Sequence, residues 1–223
     1  MNTAFIVTSC IKNLPGRGVF SHQERFEQTL ETFKSIKSLS PNSKIILADD
    51  SIEELPEEWM NQLNSFADIV ITFGKHQQIQ HFSKNGFQSL AECLLMIEVF
   101  KYIQMNNTEL KFDRIFKITG RCCLDEGFDI SHYENLDDCF VYKKRVQSWM
   151  GQGLQLLDTR MWSISSSLLL ETIGMYHLMI DLINRGFDLE HATFSCIPKE
   201  KLVEFDRVYL KGRVASDGTW RFD

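Results

Sequence analysis

The segment Lys44 to Ser51, KIILADDS, is an apolar run that stops abruptly at two carboxylates and a hydroxyl. A short run of this kind reads as a strand of a parallel sheet covered on both faces, and open α/β sheets bind ligands outside the carboxyl ends of such strands. Asp49, Asp50 and Ser51 are therefore candidate ligand contacts. A second role is open to them, since Asp50 or Ser51 would also cap a helix begun by IEELPEEW. One loop can do both.

The chain around this segment alternates strand and helix signals. Thr3 to Ile11, TAFIVTSCI, reads as a first strand, and the Gly- and Pro-rich NLPGRGVFS turns the chain. Ser21 followed by Glu24 fits a capping box, and Phe26, Leu30, Phe33 and Ile36 recur at helical spacing until Ser40-Pro41 ends the helix. After the second strand come a short helix, EEWMNQLNSF, and a third strand, Asp68 to Phe73. Asn85 to Met105 is predicted as the longest helix, and Asp113 to Ile118 as a further strand ended by Thr119-Gly120-Arg121. This β-α-β-α-β order predicts a parallel sheet with right-handed crossovers. Farther on, CFVYKKRV reads as a strand, Ser165 to Gly186 as a helix, and Val203 to Ala215 as a last strand. With no repeat, low-complexity tract or linker, residues 1–223 are expected to form one domain.

A length of 223 residues with 43% apolar content suffices for one substantial core. The net charge of -6 speaks against general affinity for nucleic acid or anionic membrane, while leaving room for a local basic pocket. No apolar run approaches the roughly 20 residues of a membrane span, and no basic region precedes the first apolar run as in a secretory signal. The expectation is a soluble, cytoplasmic protein without a transmembrane segment. The six cysteines show no metal-ligand spacing and are expected to be reduced and mostly buried, with Cys122 and Cys123 on opposite faces of a strand.

Three features in this order resemble the nucleotide-sugar glycosyltransferases of the GT-A fold: a first strand ending in Thr8-Ser9, a second ending in ADDS, and a helix beginning near SKNGFQSLAE that leads into DRIFKITGR. FKITGRCCL is also similar to a K-I/M-S/T-G-R-aromatic-x-L pattern of small phage and capsule-type glycosyltransferases, with Cys122 where the aromatic stands. The resemblance implies a single GT-A-like α/β domain over residues 1–223 with a mostly parallel, mixed central sheet flanked by helices, 1–125 being the nucleotide-binding half and 126–223 the acceptor-binding half. It implies transfer of a sugar from a nucleotide-diphosphate donor to a glycan or other hydroxyl acceptor, and, for a viral protein, a location in the host cytoplasm. Thr8, Ser9, Asp49, Asp50, Lys84 and Arg121 would then contact the donor.

Where such enzymes carry Asp-x-Asp to hold a divalent metal, this chain has Thr119-Gly120-Arg121. A guanidinium can stabilise departing diphosphate charge through paired hydrogen bonds, so Arg121 is a chemically sensible replacement. Manganese or magnesium stays an alternative, with Asp125, Asp129 or His191 as ligands. Inversion needs a general base, for which Glu190 in GFDLEHATF is the first candidate and Asp158 in LLDTRMW the second. Trp149, Trp162 and the loop MGQGLQ are candidates for an acceptor platform and lid, or for core. Lys143, Lys144, Arg145 and Arg160 are candidate phosphate or sugar contacts, with the KKR run also readable as a solvated strand end, and the stretch LKGRVASDGTWRFD either closes over the diphosphate or forms a hairpin and tail. Two other readings stay open. NLPGRG with Lys12 and Arg17 is a faint version of a nucleotidyltransferase loop, and the missing carboxylate pair fits a degenerate binding or structural protein.

Overall fold

The computed structural model describes residues 1–223 apart from Asn107, Trp149, Met150 and Gln152. The apolar runs of the first half become parallel strands: β1 (Thr3–Ser9), β2 (Lys44–Asp49), β3 (Ile69–Thr72) and β4 (Arg114–Thr119). Helices α1 (His22–Leu39), α2 (Glu57–Phe66), α3 (Gln77–Asn85) and α4 (Gln88–Met105) supply the connections. Then follow β5 (Cys122–Leu124), β6 (Phe140–Lys143), β7 (Val146–Gln147), β8 (Gln155–Leu156) and β9 (Met161–Ser165). Helices α5 (Leu169–Asn184) and α6 (Leu189–Cys196) precede β10 (Leu202–Phe205), β11 (Leu210–Arg213) and β12 (Trp220–Phe222).

The main sheet has seven strands in the order β10-β6-β9-β4-β1-β2-β3. Only β9 runs against its neighbours, β4 and β6, so the sheet is mixed and mostly parallel. Alternation along each strand divides the core into two layers. Phe5, Val7, Ile45 and Leu47 face Phe33 and Ile36 of α1. Ala4, Ile6, Ile46 and Ala48 face the layer holding Met96 and Phe100 of α4 and Met175 of α5. Strands buried on both faces are why β1 and β2 read as continuous apolar runs.

Several boundaries differ from the sequence reading, each for a local reason. The helix expected from Asn85 is broken by Gly86, whose φ of 92° closes α3, and α4 starts at Gln88. Strand β9, MWSIS, carried no expectation of its own; Trp162 is buried against Phe100, Tyr142 and Tyr176, so it is core and no platform. Val203 to Ala215 is two strands, because Tyr209 at φ 56° turns the chain out of the main sheet. Together β5, β11 and β12 form a separate antiparallel sheet. Ser166–Asn184, comprising a leading turn and α5, is long and apolar enough by length and composition to cross a membrane, although the sequence reading expects no apolar run near that length; Glu171, His177 and Asp181 interrupt it. In the fold one face of it packs on α4 and α6 through Thr172, Met175, Tyr176 and Met179.

The capping box at Ser21 and Glu24 forms as expected, with Glu24 N donating to Ser21 Oγ at 3.2 Å and Ser21 N to Glu24 Oε2 at 2.8 Å. All six cysteines are free, and on β5 Cys122 is buried while Cys123 is half-buried. Trp149 and parts of the loop MGQGLQ lie outside the described residues.

Candidate active site

The carboxyl ends of β1, β2 and β4 are neighbours in the sheet, so the polar groups that close these strands meet at one edge. They line a cleft of about 240 Å³ that includes Thr8, Ser9, Asp50, Thr119, Gly120 and Arg121. Across it stand Arg25, Gln28 and Thr29 of α1 and Gln88, Glu92 and Leu95 of α4, while Ala215 closes one side from the loop between β11 and β12. That loop is held by Val19 N donating to the Ala215 carbonyl at 3.0 Å, so the carboxyl-terminal stretch is a hairpin that also rims the cleft.

Close approach of β1 to the turn after β4 needs Gly120. Its N–H donates to the Thr8 carbonyl at 2.8 Å, and a Cβ there would lie 3.2 Å from both that oxygen and Thr29 Oγ1. Tight contact of this kind sets Arg121 at the cleft wall. Its side chain makes no hydrogen bond or ion pair among the described residues, and its Nε is buried without a partner.

The two aspartates of ADDS divide their work. Asp49 is buried and accepts from the backbone N–H of Ile11 at 3.1 Å and of Ser51 at 3.0 Å, so it organises the loops beneath the cleft and does not line it. This places Asp49 beneath the floor of the cleft. Asp50 lines the cleft and accepts from Ser83 Oγ at 2.8 Å. Burial, reinforced by the charge of Asp49, pushes its pKa up to about 6. Ser51 receives the N–H of Lys12 at 2.8 Å, so neither Asp50 nor Ser51 caps α2, whose first turn has no side-chain cap.

An ion pair links the cleft wall to the strand beneath it, with Lys117 buried and Glu92 half-buried. Lys117 of β4, almost fully buried, sits 2.6 Å from Glu92 and donates to the Thr159 carbonyl at 2.8 Å. Thr159 Oγ1 in turn donates to Glu190 at 3.0 Å. Glu190 lies in the first turn of α6, which Asp188 caps, and its carboxyl pKa is raised, chiefly by burial, with the Glu92 charge adding to it. It does not line the cleft itself; it stands behind it, joined to Glu92 through Thr159 and Lys117.

Other sequence candidates are committed elsewhere. Asp158 is grasped by Arg160, whose Nε lies 2.9 Å from Oδ2; although burial opposes ionisation, that guanidinium holds the carboxyl below its usual range. Asp158 is thus a structural ion-pair partner, and a poor base. Lys84 is exposed in the last turn of α3, outside the cleft, because Gly86 separates it from the α4 amino terminus. Lys143, Lys144 and Arg145 pair with Asp223, Asp206 and Glu204. Asp125 pairs with Lys211 at 3.2 Å, and Asp129 caps a short turn through Ser131 N. His191 bonds with both ring nitrogens, 2.6 Å to Asp188 and 2.7 Å to Ser148. In the β1 loop, Lys12 binds the Glu54 carbonyl and Arg17 the Ser83 carbonyl, so that loop presents no free basic cradle of the nucleotidyltransferase kind.

A divalent metal at the end of β4 would need convergent carboxylates. Among the described residues no three His, Cys, Asp or Glu side chains converge, and the cleft offers only Asp50, bonded to Ser83, and Glu92, paired with Lys117. The donor set does not fit a metal of the Asp-x-Asp type.

The sequence reading missed Arg25, Gln28 and Glu92. A signal was present: Arg25, Gln28, Thr29 and Thr32 form a polar stripe at helical spacing beside the apolar one, and Glu92 with Lys117 are lone charges in apolar surroundings. Charges in such positions are buried only with a partner.

No protein-family model and no curated protein matches the sequence. Solved structures do match in fold. Core-mannan synthase A from Aspergillus fumigatus, in an Mn/GDP form, superposes over 92% of this chain and 73% of its own with a TM-score of 0.59 at 10% identity. The galactosyltransferase LgtC, in complex with donor and acceptor sugar analogs, matches over 92% of this chain and 73% of its own with a TM-score of 0.54 at 10% identity. The glycosyltransferase GlyE of Streptococcus pneumoniae matches at 0.51 and 12% identity, and there the chain spans 45% of the larger protein. Sheet order, the single reversed strand and these neighbours together establish that the chain has a GT-A-like glycosyltransferase fold.

Proposed function

We propose that the protein transfers a sugar from a nucleotide-diphosphate donor to a hydroxyl of a glycan or other acceptor. The observation that carries this reading is the convergence of Thr8, Asp50 and Arg121 on one cleft at the carboxyl ends of β1, β2 and β4. In this reading Asp50, a carboxylate at a strand end, accepts hydrogen bonds from the base or ribose of the donor. Arg121, whose side chain has no hydrogen bond or ion pair among the described residues, faces the diphosphate and stabilises the charge that develops as the sugar departs. Glu190, whose burial raises its carboxyl pKa and so strengthens it as a proton acceptor, is the general base on the acceptor hydroxyl. Because it stands behind Thr159 and Glu92, its use requires the acceptor to enter from the α6 side of the cleft.

The test is incubation of the protein with a panel of UDP-, GDP- and dTDP-sugars, with and without EDTA, followed by mass spectrometry for released nucleoside diphosphate and glycosylated product. Consumption of one donor supports the reading, and loss of that consumption in Arg121→Ala supports the role of the arginine. Tight binding of a nucleotide sugar with no turnover against any acceptor would favour a binding protein on the same fold. That second reading draws on the absent carboxylate pair.

A further inference from the structure

We propose that Arg25 of α1 acts with Arg121 as a paired guanidinium clamp for the two phosphates of a nucleoside diphosphate, supplying by fixed charge what a cation held between carboxylates would otherwise supply. The clamp rests on the transferase reading only for the identity of its ligand, since the geometry itself asks for an anion.

Both arginines line the cleft, and each has a buried Nε without a hydrogen-bond partner. Neither forms an ion pair among the described residues, whereas Lys117 and Arg160 beside the cleft each hold a carboxylate. Burial lowers the pKa of Arg25, and the positive charge of Arg121 lowers it further against the opposing charges of Asp50 and Asp49, so the two guanidiniums feel one another. Two like charges brought together in a half-buried site, with donors left over, form an arrangement that a dianion relieves.

The clamp is also built in advance. One Arg25 terminal nitrogen donates to the Cys10 carbonyl at 3.2 Å and the other to the Arg17 carbonyl at 3.4 Å, which fixes the plane of the guanidinium and leaves the second hydrogen of each terminal nitrogen for a ligand. Arg121 is set by the Gly120 approach on one side and by β11 on the other, where a Cβ on Gly212 would lie 2.8 Å from the Arg121 carbonyl. Asp50 in the same cleft would repel phosphate, which places the nucleoside toward Asp50 and the phosphates toward the two arginines.

Titration calorimetry with inorganic pyrophosphate in EDTA tests this directly, with orthophosphate as the control. Wild-type protein is expected to bind pyrophosphate at least tenfold more tightly than orthophosphate, with affinity falling as salt rises. Arg25→Ala and Arg121→Ala are each expected to weaken pyrophosphate at least tenfold. Because Arg25 also ties down the loop after β1, Arg25→Lys is the second variant. It keeps the charge and loses the fork, and should retain part of the affinity together with the wild-type melting temperature. Pyrophosphate binding that needs manganese, or that is unchanged in Arg25→Ala, overturns the proposal. Pyrophosphate held by both arginines in a protein that consumes no nucleotide sugar leaves the clamp standing and removes the transferase reading. Sugar transfer that proceeds only with manganese removes the clamp and spares the reading.

Discussion

Asp50 offers the most quantitative test of the site, because its carboxylate is held in a place that disfavours its charge. Its pKa stands near 6 in the fold, raised first by burial and then by the adjacent Asp49, against 3.8 for an ordinary aspartate. A group whose acid form is favoured by folding binds its proton more tightly in the native than in the unfolded state, so stability falls as pH rises through the window from about 4 to about 6. Below that window Asp50 is neutral in both states and costs nothing. Above it the charge is present in both states and the full penalty applies. A shift of about two units corresponds to a ceiling of about 3 kcal/mol, reduced in practice because one edge of the carboxylate faces the cleft. Asp50→Asn keeps the shape and still accepts the Ser83 hydroxyl, so it removes the penalty without opening a cavity. The variant should therefore be more stable than wild type by about 1–3 kcal/mol at pH 8, a rise in melting temperature of roughly 3–10 °C for a chain of this size, and indistinguishable from it at pH 4. Chemical denaturation across pH 4 to 8 provides the assay. A stability difference that does not change with pH, or an Asp50→Asn protein less stable at pH 8, would refute the argument that this carboxylate is strained for the sake of a ligand. The same variant should lose nucleotide affinity, the expected conflict between stability and function at a binding site.

Three further outcomes are expected. Asp49→Ala strips the backbone N–H groups of Ile11 and Ser51 of their acceptor and should cost about 1–3 kcal/mol in denaturant unfolding, whereas a nucleotide contact alone would leave stability untouched. Trp162→Ala should cost about 3–5 kcal/mol by the same measurement, since the ring fills the core against Tyr142 and Phe100; a small cost with weakened acceptor binding would instead restore the platform role. Glu190→Gln should bind donor as the wild type does in calorimetry while transfer falls at least a hundredfold, and unaltered turnover would exclude Glu190 as the base.

Much of the fold could be read from the chain because its strands are apolar on both faces and each ends on an abrupt polar signal. KIILADDS and FKITGR identify strand ends without reference to anything distant. Thr8, Asp50 and Arg121 were legible for that reason, since a parallel sheet puts the carboxyl ends of neighbouring strands on one edge. The second half was less legible. There, β9 enters the sheet in reverse between β4 and β6, its pairing with β4 fixed by residues more than forty positions apart, and its short apolar segment carries no local mark of orientation.

What the sequence alone determined about the site was which residue types close the strands: a carboxylate pair after β2, and an arginine in place of carboxylates after β4. Tertiary structure decided how those groups are used. Adjacent Asp49 and Asp50 look equivalent in sequence, yet successive strand residues point to opposite sides, so one is spent on backbone N–H groups and the other faces the cleft. Asp158 looked free until the fold closed Arg160 over it. Arg25 is separated from Arg121 by almost a hundred positions, and only the packing of α1 across the ends of β1 and β4 brings the two guanidiniums to one cleft, because long-range proximity is a property of the folded core and not of local spacing.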